Sequence, residues 1–198
     1  MKYYPIFLNL CDHQCVVVGG GAVAERKVKG LLASRAKVRL ISPNLTPYLA
    51  HLVTNEEVTF ERRCFQRGDL RGSLLVFAAT NKRNVQKAIA QEAQREGVLL
   101  NSADDVDASD FLVPARLSRG KIQLAISTGG SSPALAKILR QQLDTLLEEN
   151  ALERLESLTQ LRKQIKSQIP KQIDRAKNHQ IRAGKIIKKK GKLNKDAV

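Results

Sequence analysis

The chain has 198 residues, 42% of them hydrophobic, with a formal net charge of +15. That is enough apolar material for one cored domain and an appendage, and no apolar run is long enough to span a bilayer. Residues 1–150 hold 20 Lys and Arg against 15 Asp and Glu, whereas residues 151–198 hold 14 against 4, so a basic tail follows a more balanced unit.

Cys11, Cys15 and Cys64 lack C-x-x-C spacing, and His13, His51 and His179 are scattered. This argues against a disulfide framework or a metal centre and for reduced thiols in the cytoplasm. Pro5 and Asn9 interrupt any leader-like apolar stretch, so no secretory signal is expected.

Residues 1–113 alternate strand and helix signals. Strands are expected at 15–18, 38–42, 58–61, 74–78 and 98–101, each short and rich in Val and Leu as in a buried parallel sheet. Helices are expected at 23–34, 46–54 and 84–96, the last with Val85, Ala88, Ile89 and Ala93 on one face. The alternation predicts an α/β fold, a doubly wound parallel sheet with right-handed crossovers. Two further strands, 111–118 and 121–127, are joined by Arg119-Gly120 and followed by a helix over 134–149, with Ser132 as N-cap and Pro133 at its first position. This hairpin and helix are too small to bury their own apolar surface. They should pack on the first domain or pair with a second copy, forming a dimerisation region over 114–150. Helical periodicity continues through Leu152, Leu155, Leu158, Leu161, Ile165 and Ile169 and defines a helical part over 151–184. The Lys-rich stretch 185–198 reads as disordered.

Three stretches can carry chemistry. The first is Val18-Gly19-Gly20-Gly21-Ala22-Val23-Ala24, a G-x-G-x-x-A motif between a strand and a helix. Gly19 allows the tight turn, Gly21 a close backbone approach to phosphates and Ala24 tight helix–strand packing, while free helix N–H groups face the anion. The alternative is a glycine turn with no ligand. The second strand ends in Ser42-Pro43-Asn44 rather than an acid, so backbone and short polar groups would meet a ribose. The second stretch is Asn101-Ser102-Ala103-Asp104-Asp105 at the carboxyl end of the fifth strand, where ligands of such sheets bind. A carboxylate there could take a proton, and only one of the two adjacent aspartates is expected to point inward. The alternative is a solvated acidic turn. The third is Ser127-Thr128-Gly129-Gly130-Ser131-Ser132-Pro133, either an anion site or a simple helix cap, with Arg116, Arg119, Lys121, Lys137 and Arg140 nearby in sequence.

Taken in order, Tyr4-Pro5-Ile6-Phe7-Leu8, the glycine motif with Glu25-Arg26-Lys27, Phe77-Ala78-Ala79-Thr80-Asn81, residues 101–105, Asp110 to Ala115 and Ala125 to Ala136 resemble the siroheme synthase N-terminal family. This family comprises precorrin-2 dehydrogenases, some of which are also sirohydrochlorin ferrochelatases. The resemblance covers about residues 2–150. It implies a Rossmann-like NAD-binding domain, a homodimer, oxidation of precorrin-2 to sirohydrochlorin with NAD, and in some members insertion of ferrous iron. It places Ala22, Val23, Pro43, Asn44, Ala79 and Thr80 at NAD, beside Gly19 and Gly21 of the glycine motif, and Asp104 in catalysis; Asn101, Ser127, Thr128 and Gly129 are the positions expected to meet the tetrapyrrole. Thr128 stands where some members carry a modifiable serine. Ser109 stands where many have cysteine, and Val106 where many have proline after the aspartate. The methyltransferase domain of the fused enzymes is not expected. Two other readings compete: an NAD-sensing regulatory module without catalysis, and nucleic-acid binding by the Lys-rich tail. The tail lacks interleaved aromatics, which disfavours the latter.

Overall fold

The computed structural model describes residues 3–147 and 156–163. The chain divides into two compact units, Met1–Val113 and Pro114–Val198.

The first unit runs β1 (Gln14–Val18), α1 (Ala22–Leu32), β2 (Lys37–Ile41), α2 (Pro47–Thr54), β3 (Thr59–Glu61), β4 (Leu75–Ala78), α3 (Arg83–Glu96) and β5 (Leu99–Ser102). All strand pairs are parallel, in the order β3-β2-β1-β4-β5. The continuous apolar runs follow from burial on both faces. One face of β1, β2 and β4 packs Cys15, Val17, Leu40 and Phe77 against Ala24, Val28 and Leu31 of α1 and Leu49 and Leu52 of α2. The other packs Val16, Val18, Ile41 and Val76 against Leu70 and against Ile89 and Ala93 of α3. The chain winds outward from β1 through β2 to β3, then crosses back to β4 and β5. The order therefore reverses beside β1, and the crevice at the carboxyl ends of β1 and β4 is where a ligand site is expected.

Local chemistry sets the element ends. Thr46 caps α2, its Oγ1 accepting from the Leu49 N–H at 3.2 Å, with Pro47 in the first turn. Gly97, at φ 68°, terminates α3. Val98 is outside β5 because its N–H donates to the Ala93 carbonyl and closes that helix end. Ser42 lies just past β2: its N–H still donates to the Glu61 carbonyl at 3.2 Å, and its hydroxyl donates to the Asn44 carbonyl at 2.7 Å.

The second unit contains the antiparallel hairpin β6 (Ala115–Arg119) and β7 (Ile122–Ile126), followed by α4 (Pro133–Leu146). The strand expected from residue 111 begins only at Ala115. Phe111 is held instead on β5, where the Asn101 Nδ2 donates to its carbonyl at 2.9 Å, and its ring meets Phe77 edge-on at 5.4 Å. The hairpin turn is Gly120-Lys121, not Arg119-Gly120: Arg119 pairs with Ile122, and Gly120 takes the positive φ of 55°. Ser132 caps α4 through the Leu135 N–H at 3.2 Å, with Pro133 in its first turn. Arg119 spans from β6 to Asp144 of α4 at 2.9 Å. Leu135, Ile138, Leu139 and Leu146 of α4 are all exposed.

Residues 156–163 are helical. The rest of the expected 151–184 helical part and the Lys-rich stretch 185–198 lie outside the described residues. Among the described residues, no helix is long and apolar enough to cross a membrane.

Candidate functional site

The loops after all five parallel strands converge at their carboxyl ends. They enclose a cavity of about 630 Å³ lined by residues 18–23, 41–46, 63–65, 79–82, 85 and 103–104. All eight residues expected at the nucleotide line it, namely Gly19, Gly21, Ala22, Val23, Pro43, Asn44, Ala79 and Thr80, and so does Asp104.

The glycine loop is built by three different constraints. Gly19 has a φ of 128°, and a Cβ there would lie 2.1 Å from the Ala79 carbonyl oxygen, so both conformation and space demand glycine. Gly20 has ordinary torsions, but a Cβ would lie 1.9 Å from the Asn44 oxygen, because the loop after β2 is laid directly on it. Thr46 N–H also donates to the Gly20 carbonyl at 2.9 Å. Gly21 would meet nothing within 4 Å and is exposed at the cavity mouth. Gly20 was missed as a site residue. The signal available for it was a third glycine where the motif tolerates any residue.

Gly21 is also the N-cap of α1, and no side chain caps it. The first N–H groups of a helix have no intrahelical acceptor, and they carry its positive dipole end. The one acid in the first turn, Glu25, is turned aside: its Oε1 accepts from Lys29 at 2.7 Å and its Oε2 from the Thr46 hydroxyl at 2.9 Å. Those two hydrogen bonds, Lys29 first, lower its pKa. An open glycine floor, uncapped N–H groups and a neutralised neighbouring acid are what the pyrophosphate of a dinucleotide requires, so the residues present fit such a group.

The loop after β5 divides its two aspartates. Asp105 Oδ1 accepts the Asp107 and Ala108 N–H groups, both at 3.0 Å, and is consumed by its own turn. Asp104 is exposed on the cavity wall, its Oδ2 3.3 Å from Gln86 Nε2, which also donates to the Thr80 carbonyl at 2.5 Å. Ser109 is buried at the loop's centre. Its Oγ accepts from Ser102 N at 2.9 Å and donates to the Asp105 carbonyl at 2.8 Å. Gln86 carried no sequence signal as a site-building residue, and Ser109 was marked only as standing where many relatives have cysteine.

The remaining expected positions are elsewhere. Asn101 is buried with both amide atoms engaged: Oδ1 accepts from Lys27 Nζ at 2.8 Å and Nδ2 donates to Phe111. The ammonium of Lys27 also rests over the Phe77 ring, 5.2 Å from its centroid. Asn101 therefore ties α1 to the segment after β5 and does not line the cavity. Ser127, Thr128 and Gly129 belong to the second unit. Thr128 Oγ1 accepts from Ser132 N at 3.0 Å and donates to the Ser132 carbonyl at 3.1 Å, and Ser127 Oγ accepts from Gly129 N at 3.1 Å. Both hydroxyls thus brace the loop before α4. Gly129 stands at φ 65°.

A doubly wound parallel sheet with an uncapped glycine cradle at its switch point defines a nucleotide-binding α/β protein. More particularly, the chain belongs to the putative NAD(P)-binding family, whose model matches residues 6–115. Residues 119–146 match the model described as sirohaem biosynthesis protein central. Siroheme synthase 1 of Aeromonas salmonicida (strain A449) is 39% identical over 150 residues, 76% of this chain and 32% of that protein. Siroheme synthase of Thioalkalivibrio sulfidiphilus (strain HL-EbGR7) is 36% identical over 171 residues, 86% of this chain and 35% of that protein. The chain thus spans about a third of the length of the curated relatives it matches. The fold is shared with the solved structure of SirC, precorrin-2 dehydrogenase, at a TM-score of 0.75 and 23% identity, covering 96% of this chain and 100% of that one.

Proposed function

We propose that this chain oxidises precorrin-2 to sirohydrochlorin with NAD as acceptor, a step in sirohaem biosynthesis. The observation that carries the reading is one cavity joining the glycine cradle to an exposed carboxylate, Asp104, in a chain whose two parts match an NAD(P)-binding and a sirohaem-biosynthesis family. NAD, when bound, supplies the hydride-accepting carbon, and the protein supplies position and proton handling. Gly21, Ala22 and Val23 would hold the pyrophosphate with the open backbone at the start of α1, and Gly19, whose N–H is spent on the Ile41 carbonyl, would make room for it through its turn. Pro43 and Asn44 would hold the adenosine ribose, and Ala79 and Thr80 the hydride-accepting ring, since all four line the cavity that Asp104 also lines. Asp104 holds the pyrrole N–H groups of the macrocycle or takes the proton that leaves with the hydride.

Precorrin-2 is a polycarboxylate, which suits the second unit. Between residues 114 and 147 Arg116, Arg119, Lys121, Lys137 and Arg140 face a single acid, Asp144. In this proposal Ser127, Thr128 and Gly129 shape the loop that meets the substrate, and Asn101 supports the Asp104 segment from behind. The exposed apolar face of α4 supports a homodimer through residues 114–150. Insertion of ferrous iron into the product at Asp104 is the further activity proposed, with iron as substrate.

The test is an anaerobic incubation of the purified chain with precorrin-2 and NAD, followed by ferrous ion. NADH formation that depends on both substrates is expected, and then a sirohaem spectrum that develops faster than without protein. NAD binding with no turnover would instead leave a sensing module.

A further inference from the structure

The loop after β2 offers no acid to a ribose, yet charge is concentrated one strand further out. Glu61, the last residue of β3, is in register with Ile41 at the end of β2, and its carbonyl accepts the Ser42 N–H at 3.2 Å. Its carboxylate bridges two arginines, Arg39 at 3.2 Å and Arg63 in a close ion pair. Arg63 in turn makes a two-pronged pair with buried Asp69, at 2.7 and 2.8 Å, and donates to the Cys64 carbonyl at 3.0 Å. The result is an alternating row, Arg39, Glu61, Arg63, Asp69, with no net charge.

Arg63 is the member of this row that lines the cavity. The other charged lining residues, Lys82 and Asp104, follow β4 and β5 on the opposite side of β1. An arginine beside the β2 end is the usual means of accepting a ribose 2′-phosphate. Here that use is blocked. The two terminal guanidinium nitrogens carry four N–H bonds, and these are spent on Asp69 twice, on Glu61 and on Cys64. The loop cannot easily release it either. Asp69 also accepts Gln66 N–H at 2.7 Å, and buried Glu92 holds Gly68 and Leu70 N–H groups at 2.8 and 3.0 Å.

We infer that the Arg39–Glu61–Arg63–Asp69 row determines cofactor specificity: it keeps Arg63 in the wall neutralised and its four terminal N–H bonds engaged, so that the seat takes an unphosphorylated adenosine ribose and rejects a 2′-phosphate. The inference rests on the proposal that a dinucleotide occupies this cavity with its pyrophosphate at α1. Glu61 is the positioning residue that can be relieved with least damage, since it is partly exposed and glutamine keeps its shape.

The test is calorimetric titration of the full chain with NAD and with NADP. The wild type should bind NADP at least about tenfold more weakly than NAD. Glu61→Gln leaves a single side-chain acceptor between Arg39 and Arg63 and gives the row one excess positive charge. NADP should then bind about tenfold more tightly, with NAD affinity within about twofold of wild type. An unchanged ratio in a variant with wild-type circular dichroism and NAD affinity would overturn the inference alone. Failure of the wild type to bind NAD would overturn the underlying reading as well. A wild-type measurement gives an independent decision: adenosine 2′,5′-bisphosphate should compete for the site more weakly than AMP, and tighter competition would overturn the inference without any variant.

Discussion

Replacing Gly20 by alanine tests whether the glycine loop is read correctly, because its effect should differ in kind from that of the same change one residue on. A methyl at Gly20 would lie 1.9 Å from the Asn44 oxygen, 3.0 Å from its carbon and 2.7 Å from Ser42 Oγ. A carbon and a carbonyl oxygen need roughly 3.3 Å even in close contact, so the loop must retreat by more than an ångström. It is not free to do so. Ser42 Oγ is bonded to that same Asn44 oxygen, Gly19 N–H donates to the Ile41 carbonyl at 2.9 Å, and Thr46 N–H donates to Gly20 itself. Overpacking against backbone costs about 1–3 kcal/mol. Disturbing the Thr46 contact, which also positions the α2 cap, adds about 1 kcal/mol. Gly20→Ala should therefore lose about 2–4 kcal/mol in urea unfolding followed by circular dichroism, the combined estimate of the same two effects. Gly21→Ala meets nothing, and its extended torsions suit alanine. Its stability cost should stay within about 1 kcal/mol, the difference between the two residues at an N-cap. Its methyl would nevertheless stand in the anion seat and should weaken NAD binding about tenfold or more, about 1.4 kcal/mol. Equal stability losses in the two variants, or full stability in Gly20→Ala, would refute the assignment of Gly20 to architecture and Gly21 to ligand.

Other expectations follow from single side chains. Asp104→Ala should lower the precorrin-2 oxidation rate about 100-fold or more, the scale of a lost general base, and leave the unfolding midpoint unchanged. A full rate would remove Asp104 from the chemistry. Cys64 is exposed and lines the cavity, so a thiol reagent should modify it in the native chain and NAD should slow that reaction. Cys15, whose pKa burial pushes up to about 11, should react only on unfolding; mass mapping of the labelled peptides decides both. Burial opposes ionisation of Asp69, but its hydrogen bonds from Arg63 and Gln66 prevail and hold its pKa below the usual value. The unfolded chain then takes up that proton at a higher pH than the folded one. The contribution of Asp69 is complete above about pH 4 and is lost as pH falls through its folded pKa. Urea midpoints measured from about pH 5 down to pH 3 should therefore fall less steeply in Asp69→Asn than in the wild type.

Much of the first unit was legible because it obeys local rules. The unbroken apolar run Cys15 to Val18, ended by the glycine turn, reads as a strand buried on both faces, as in a parallel sheet, and Ser132-Pro133 states its own helix start. Errors gathered where a distant partner outbids the local pattern. Phe111 continues an apolar alternation and reads as strand, yet Asn101, ten residues earlier, and the more distant Phe77 hold it against the sheet. Asn84 looks like a helix start, but α3 begins at Arg83, with Lys82 as N-cap and no side-chain bond to the first turn. A favourable capping residue creates no cap where the backbone has already turned.

The candidate site divides along the same line. The eight nucleotide-side positions all line the cavity because backbone shape, which glycine and proline advertise, is most of what a pyrophosphate needs. Polar side chains were harder to place, because a polar group's partner decides its role. Asn101 and Asp104 lie three residues apart, and both are polar residues at a strand end. One is buried between Lys27 and Phe111, and the other faces the cavity with one long contact to Gln86. Ser127 and Thr128 bond within their own loop, so their hydroxyls brace the start of α4. If an acidic substrate docks on the second unit, its affinity should then come chiefly from the arginines and lysines there and weaken steeply with salt. Thr128→Ala should cost loop order first and affinity only as a consequence.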